Sequence, residues 1–207
     1  LDPVVVDPRL PRDAARRREE ERHGHRRAAR ERAGRLVRGE ELAQGEQIYS
    51  TRFIGPKAYV VTFRVVDPLF AIDLSNPRAP KVTGELKIPG FSEYMHPLGN
   101  DYLLTIGRET TADGHQHDEA GNWYGLALQV FDVRAPASPQ LKYKHVYTGG
   151  AYGTSEASTN HKAFTYFEDR KLLAFPYTAQ DWTGKTSGGP RSTLEIFHVD
   201  AESGIEP

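Results

Sequence analysis

The densest collection of side chains able to hold an ion lies in the run ETTADGHQHDEAGNWYG, residues 109–125. It carries Asp113, His115, His117, Asp118, Glu119 and Asn122. Two imidazoles separated by a single residue can both reach one divalent ion, and neighbouring carboxylates can complete a zinc site. Asp113, Asp118, Glu119 and Asn122 alone would suit calcium, which takes oxygen ligands. The expectation is a weak divalent-metal site, zinc or calcium, formed by Asp113, His115, His117 and Asp118. Zinc needs neutral imidazole, so its affinity should fall as pH drops through about 6.5, whereas an all-oxygen calcium site would not respond there. The spacing fits neither an EF-hand nor a zinc-protease helix, so a polar, solvated loop is the competing reading.

Aromatic residues stand at the end of this run and in two later loops. Trp123 and Tyr124 close the acidic run, Trp182 sits in QDWTGKTSGG, and Tyr152 follows Gly149 and Gly150. Flat amphipathic rings of this kind stack on sugar rings or peptide planes, or else anchor a loop to its scaffold. The expected ligand-binding residues are Trp123, Tyr124, Tyr152 and Trp182. Other chemistry is excluded or weak. Cysteine is absent, which removes disulfides, thiolate metal sites and cysteine nucleophiles together. Gly184-Lys185-Thr186 lacks the upstream glycine of a phosphate loop, since Ala179 stands there. A formal net charge of -1 gives no general attraction to nucleic acid. His96 and His161 fall on or beside expected strands, where packing is the commoner role of histidine.

These residues must be positioned by the elements that flank them, and those elements repeat. Leu69-Phe70-Ala71-Ile72-Asp73-Leu74, with Pro77 and Pro80, overlies Leu128-Gln129-Val130-Phe131-Asp132-Val133, with Pro136 and Pro139, at an offset of 59 (Asp73 to Asp132). A third copy, Leu194-Glu195-Ile196-Phe197-His198-Val199, replaces the aspartate with histidine and loses the proline pair. Upstream, Tyr59-Val60-Val61-Thr62-Phe63 overlies Tyr102-Leu103-Leu104-Thr105-Ile106 at an offset of 43 (Tyr59 to Tyr102), with Leu172-Leu173-Ala174-Phe175 as a third copy. A period of about 40–45 residues built from short runs of Val, Ile, Leu, Tyr, Phe and Thr is that of a four-stranded propeller blade. The sequence therefore predicts an all-β fold of about three four-stranded antiparallel blades, a partial β-propeller. In the first blade the strands A to D fall near Ser50–Ile54, Lys57–Phe63, Leu69–Leu74 and Lys81–Ile88. Tyr59, Val61, Leu103, Ile106, Val130, Phe131, Leu173 and Ile196 should be buried.

Blade connectivity then orders the loops. The B-to-C and D-to-A connections leave one end of every blade, and the A-to-B and C-to-D turns leave the other. Residues 108–125 and 178–192 are both lengthened B-to-C connections, and residues 147–160 a D-to-A connection, so all three share an end. Long loops on one side of a rigid scaffold mark the expected binding side.

The runs YVVTFRVVDPLFAIDLSNPRAPKVTGELKIPGFSEYMHP, LQVFDVRAPASP and NHKAFTYFEDRKLLAFP resemble the family of bacterial and archaeal secreted proteins with a C-terminal β-propeller domain. The repeat is similar also to the Leu-Val-Ile-Val-Asp repeats of surface-layer-associated propellers. The resemblance covers about residues 45 to 207. It implies export and cell-surface attachment, and it brings no catalytic residues with it.

Ahead of the repeats, residues 1–46 differ in kind. Between Arg9 and Glu46 there are twelve arginines and eight acids, with no steady 3.6-residue apolar stripe, so this first segment reads as a poorly packed solvated helix or disorder before the propeller of residues 47–207. Arg/Ala/Gly-rich text of this kind also arises from out-of-frame reading of a GC-rich gene, and the segment suggests no function. The chain begins at Leu1 and its one methionine is Met95, so a piece of a longer protein is expected. No stretch reaches the roughly 20 apolar residues of a membrane span. Since three blades cannot close a ring, either further blades or self-association through open blade edges is expected. The function that fits best is a secreted or cell-envelope module that binds a protein or carbohydrate partner through its long loops. The alternative is a metal- or carboxylate-dependent hydrolase or lyase working in the axial funnel.

Overall fold

A computed structural model describes residues 46–63, 67–76, 78–111, 125–147, 152–180 and 189–207. The strands lie in one unit made of residues 43–76 and 80–207. Blade one is β1 (Gln47–Ile54), β2 (Lys57–Phe63), β3 (Asp67–Asp73) and β4 (Lys81–Ile88), hydrogen-bonded in that order. Blade two is β5 (Phe91–Leu98), β6 (Tyr102–Arg108), β7 (Leu126–Asp132) and β8 (Gln140–Val146). Blade three holds β9 (Tyr152–Thr154), β10 (Thr165–Phe167), β11 (Leu172–Gln180), β12 (Arg191–Asp200) and β13 (Gly204–Glu206). All pairings are antiparallel. Helix among the described residues amounts to three single 3-10 turns, and no helix there is long and apolar enough to cross a membrane.

The expected strands of blade one are present, with β1 and β3 beginning earlier than the pattern suggested, at Gln47 and Asp67. The D-to-A stretch departs from expectation more. Tyr152–Thr154 is itself a strand, pairing with Thr178–Gln180, while Thr165–Phe167 pairs with Leu172–Ala174 farther along β11. The innermost strand of blade three is thus split in two. Between the halves, Ser155 and Asn160 each cap a short 3-10 turn through their side chains, giving the interruption its own hydrogen bonds. Its Ala157 is fully buried and Phe164 nearly so, and both belong to the core between blades two and three.

Side-chain alternation assigns neighbouring residues to different cores. Leu103, Phe131 and Val133 of blade two pack with Tyr59, Val61, Leu69 and Ala71 of blade one. Leu104, Ile106, Leu128 and Val130 face the other way and pack with Leu173, Phe175, Phe197 and Val199 of blade three. Every residue of β6 is consequently buried, and all but the last of β7. The inner strands of blades one and two are also tied directly, by the Ser50 hydroxyl to the Ser92 carbonyl at 2.6 Å and by Arg52 Nε to the Met95 carbonyl at 2.6 Å.

Seven of the eight residues expected in the core are buried; Ile196 is not, at 55% exposed. It occupies the position of Val130 in the repeat, but Val130 is covered by blade three, and no blade among the described residues covers Ile196. The side chains of residues 1–45 lie outside the described residues. Glu46 is described, and its carboxylate accepts a hydrogen bond from the Thr62 hydroxyl at 2.5 Å.

The repeat also sets the turns after each third strand. Asp73 accepts from the Ser75 backbone N–H at 2.8 Å, and Asp132 from the Arg134 N–H at 3.0 Å. In the third copy the aspartate replaced by His198 reappears two residues later. Asp200 accepts from the N–H groups of Glu202 (2.6 Å) and Ser203 (3.2 Å) and pairs with Lys171, whose backbone is left-handed at φ 53°. The Lys171 ammonium, followed by these N–H groups, pulls the Asp200 carboxyl down to about 2. Because its folded value lies below the ordinary carboxylate value of about 3.9, this group stabilises the fold above pH 4 and loses that contribution as pH falls toward 2. Asp200→Asn should lower urea stability at pH 7 by about 1–2 kcal/mol. The stability-versus-pH curves of the two proteins should converge near pH 2. Parallel curves across the whole range would show that the carboxylate is not the source.

Candidate functional site

At the loop end of the interface between blades two and three, the apolar core gives way to tyrosines, an acid and a base. Tyr147 follows β8 directly and is held by its N–H to the Leu126 carbonyl at 2.9 Å. Its ring stacks on Tyr177 of β11 with centroids 4.4 Å apart and planes 25° from parallel. The Tyr147 hydroxyl donates to Glu195 Oε2 at 3.0 Å, and the Thr193 hydroxyl donates to Oε1 of the same carboxylate at 2.5 Å. Glu195 shares its side of β12 with Phe197 and Val199, so the strand's alternation delivers a carboxylate to the top of an apolar face.

His145 completes the cluster, its ring 5.3 Å from Tyr147 and 5.0 Å from Phe197, both edge-on. Burial holds the imidazole below its usual pKa, with Glu195 pulling the opposite way. Burial likewise raises both tyrosines, and the Glu195 charge adds to it. Each phenol therefore stays protonated throughout the physiological range. The Tyr177 hydroxyl makes no hydrogen bond among the described residues, so it can offer one to a ligand.

Arg108, buried at the end of β6, donates from Nη1 to the Gly153 carbonyl at 2.6 Å and pins β9 to blade two. Gly153 is needed there, because a Cβ would overlap the Tyr177 ring. Glu109 forms an ion pair with Lys144, and the Thr110 hydroxyl accepts from the buried Gly90 N–H at 2.7 Å. The roots of the long connection are thus fastened to the scaffold.

Of the residues expected to bind a ligand, Trp123, Tyr124 and Trp182 lie outside the described residues. So do Asp113, His115, His117 and Asp118, the expected metal ligands. Tyr152 is placed in β9 by its backbone alone. No group of three or more His, Asp or Glu residues suited to a metal occurs among the described residues. His96 sits beside the rings of Phe164 (5.4 Å) and Tyr166 (5.5 Å), with burial and then Arg52 holding it below its usual pKa, which fits the packing role expected of it. His161 lies exposed in the second 3-10 turn.

Sequence reasoning passed over Tyr147, Tyr177 and Glu195. The signal available was parity: Glu195 and Tyr177 each stand two residues from a buried phenylalanine, on the side of the strand that is otherwise apolar.

Comparison with known proteins agrees with this architecture. The chain is 57% identical over 138 residues to an uncharacterized protein of Methanocaldococcus jannaschii, covering 65% of this chain and 19% of that protein. It is 42% identical over 131 residues to an uncharacterized protein of Archaeoglobus fulgidus, covering 63% of this chain and again 19% of the relative. The chain therefore matches about a fifth of the length of these relatives. The beta propeller domain family matches residues 32–207, and with three antiparallel sheets built as blades among the described residues the chain belongs to that family.

Proposed function

We propose that the protein is a binding module, exported or held at the cell envelope, that takes a carbohydrate or protein partner on the loop end of its blades. The observation that carries this reading is the stacked Tyr147–Tyr177 pair with Glu195 hydrogen-bonded beside it. Half-buried rings flanked by a carboxylate and an unengaged phenol match a ligand with an apolar face and hydroxyl or amide edges. The cluster lies where the connections carrying Trp123, Tyr124 and Trp182 leave the blades, so those aromatics can extend the same surface. The proposed Asp113, His115, His117 and Asp118 metal site belongs to that surface as well, as an ion that orders the loop.

Binding to an immobilised panel of oligosaccharides and peptides, with and without zinc or calcium, tests the reading. Tyr177→Ala, Trp182→Ala and their double variant should weaken any ligand found by about tenfold or more each, with thermal unfolding recorded to separate affinity from stability. A ligand whose affinity all three variants leave unchanged would place the binding surface elsewhere. Calorimetric titration of zinc and calcium into the wild type and the His115→Ala, His117→Ala double variant tests the metal separately. No heat with either ion would remove it from the proposal.

A further inference from the structure

Glu195 carries a charge that its place in the fold does not require. Its carboxylate accepts from the Tyr147 and Thr193 hydroxyls at 3.0 and 2.5 Å, and a neutral amide would meet both with its oxygen and its N–H. The repeat makes the same point. Gln129 holds the aligned position in blade two, on the side that faces blade one, and there the residue is neutral and 2% exposed.

A half-buried carboxylate gives up hydration, a cost that a cation ordinarily offsets. Among the described residues no lysine or arginine forms an ion pair with Glu195. Arg108 is committed to the Gly153 carbonyl, and at the Tyr177 hydroxyl its charge is outweighed by that of Glu195. Arg191 shares the Glu195 side of β12 but stands four residues away, roughly 13 Å along a strand, and is exposed. His145 belongs to the cluster, but burial favours its neutral imidazole. The cluster therefore presents an uncompensated negative charge beside the unengaged phenol oxygen of Tyr177.

The rings limit what can reach it. Tyr147 and Tyr177 already turn a face to each other, Tyr147 meets His145 and Phe197 edge-on, and Gly153 lies against Tyr177. A sugar ring stacks on a whole aromatic face, whereas an alkyl stem needs only a strip of apolar edge.

We infer that Glu195 and the Tyr177 phenol oxygen hold the ammonium group of a lysine side chain from a protein partner, its stem lying along the edges of Tyr147 and Tyr177. The inference rests on reading this cluster as a binding surface and names what that surface takes. An ammonium has three donors and no acceptor, so it satisfies both oxygens and keeps one N–H for water. Lysine delivers that compact charge on four apolar carbons.

The test is a nuclear magnetic resonance titration of the whole chain with Nα-acetyl-lysine methylamide, following the signals of Tyr147, Tyr177 and Glu195. The Nε-acetylated counterpart keeps the stem, loses the charge, and should bind about tenfold or more weakly. Glu195→Gln should weaken the lysine probe by a similar factor, while its melting temperature stays within about 2 °C of the wild type. The comparison of the two probes is made on the wild type, so it stands even where the variant does not fold. Equal affinity for the charged and acetylated probes would overturn the proposal and leave the cluster a surface for neutral ligands. Glucosamine bound more tightly than the lysine probe would overturn it in favour of an amino sugar. Signals of the three residues that respond to none of these probes would overturn both the assignment of lysine and the reading of the cluster as a binding surface.

Discussion

Replacing Phe131 with alanine should lower the free energy of unfolding by about 4 kcal/mol, the usual cost of emptying a buried phenylalanine site. Phe131 is 1% exposed and sits in the cluster that joins blade two to Tyr59, Val61, Leu69 and Ala71 of blade one. The surrounding backbone is committed to two hydrogen-bonded sheets, so it cannot collapse far into the space. Urea unfolding should show the loss as a lower midpoint with an unchanged slope. Leu128→Ala should remove about 3 kcal/mol from the opposite interface. Because the two side chains lie on opposite sides of one sheet, the double variant should come close to the sum. A loss under about 1 kcal/mol for Phe131→Ala would mean that the interface between blades one and two is not a packed core.

Gly107→Ala should be nearly as damaging for a quite different reason. Gly107 pairs with Ser92 beside a bulge in β5, and an added Cβ would overlap the Phe91 carbonyl oxygen. The obstacle is backbone, and the flanking Ile106 and Arg108 are buried, so neither strand can give way. A cost of about 3 kcal/mol is expected, at the upper end for inserting a single methyl group into a packed site. Gly55→Ala provides the contrast. Gly55 has φ 54° but nothing within 4 Å of its would-be Cβ, so the cost there is the conformational penalty alone, about 1 kcal/mol. Similar melting temperatures for the two variants would show that β5 can shift to admit the methyl group.

The fold was legible because two signals coincide in this sequence. Strand residues alternate with the period of the pleat, and the strands recur with the period of a blade, so Leu69 and Leu128 could be aligned before either was seen to be buried. Asp73 and Asp132 announced their turns in the same way. Asp200 escaped because the third copy moves the turn by two residues and puts His198 in the aligned position. The split inner strand of blade three was hidden because Tyr152–Thr154 and Thr165–Phe167 are only three residues each, too short to carry a period. Ile196 was misjudged because burial depends on a neighbour, and alternation specifies only which side a residue faces.

The candidate site was less legible for a related reason. Searching for chemistry in loops favours clustered histidines and carboxylates, and so drew attention to residues 113–124. Tyr147 just beyond β8, Tyr177 of β11 and Glu195 of β12 become neighbours only when blade three packs on blade two. None of the three is near another in sequence except through the register of β11 and β12, which sets Tyr177 opposite Thr193.

Burial of blade two on both sides also governs how such a chain can change in length. Loss of a single residue within β6 would exchange the surroundings of Leu103 and Leu104 and misdirect every side chain beyond the lesion, damaging two interfaces at once. The connection from β6 to β7 carries no such constraint, and it already differs by 16 residues from its counterpart between β2 and β3 (offsets of 59 and 43). Insertions and deletions that survive selection are thereby channelled to one end of the molecule. Descendants of this chain can diversify what that end displays while their strands keep the same count of residues.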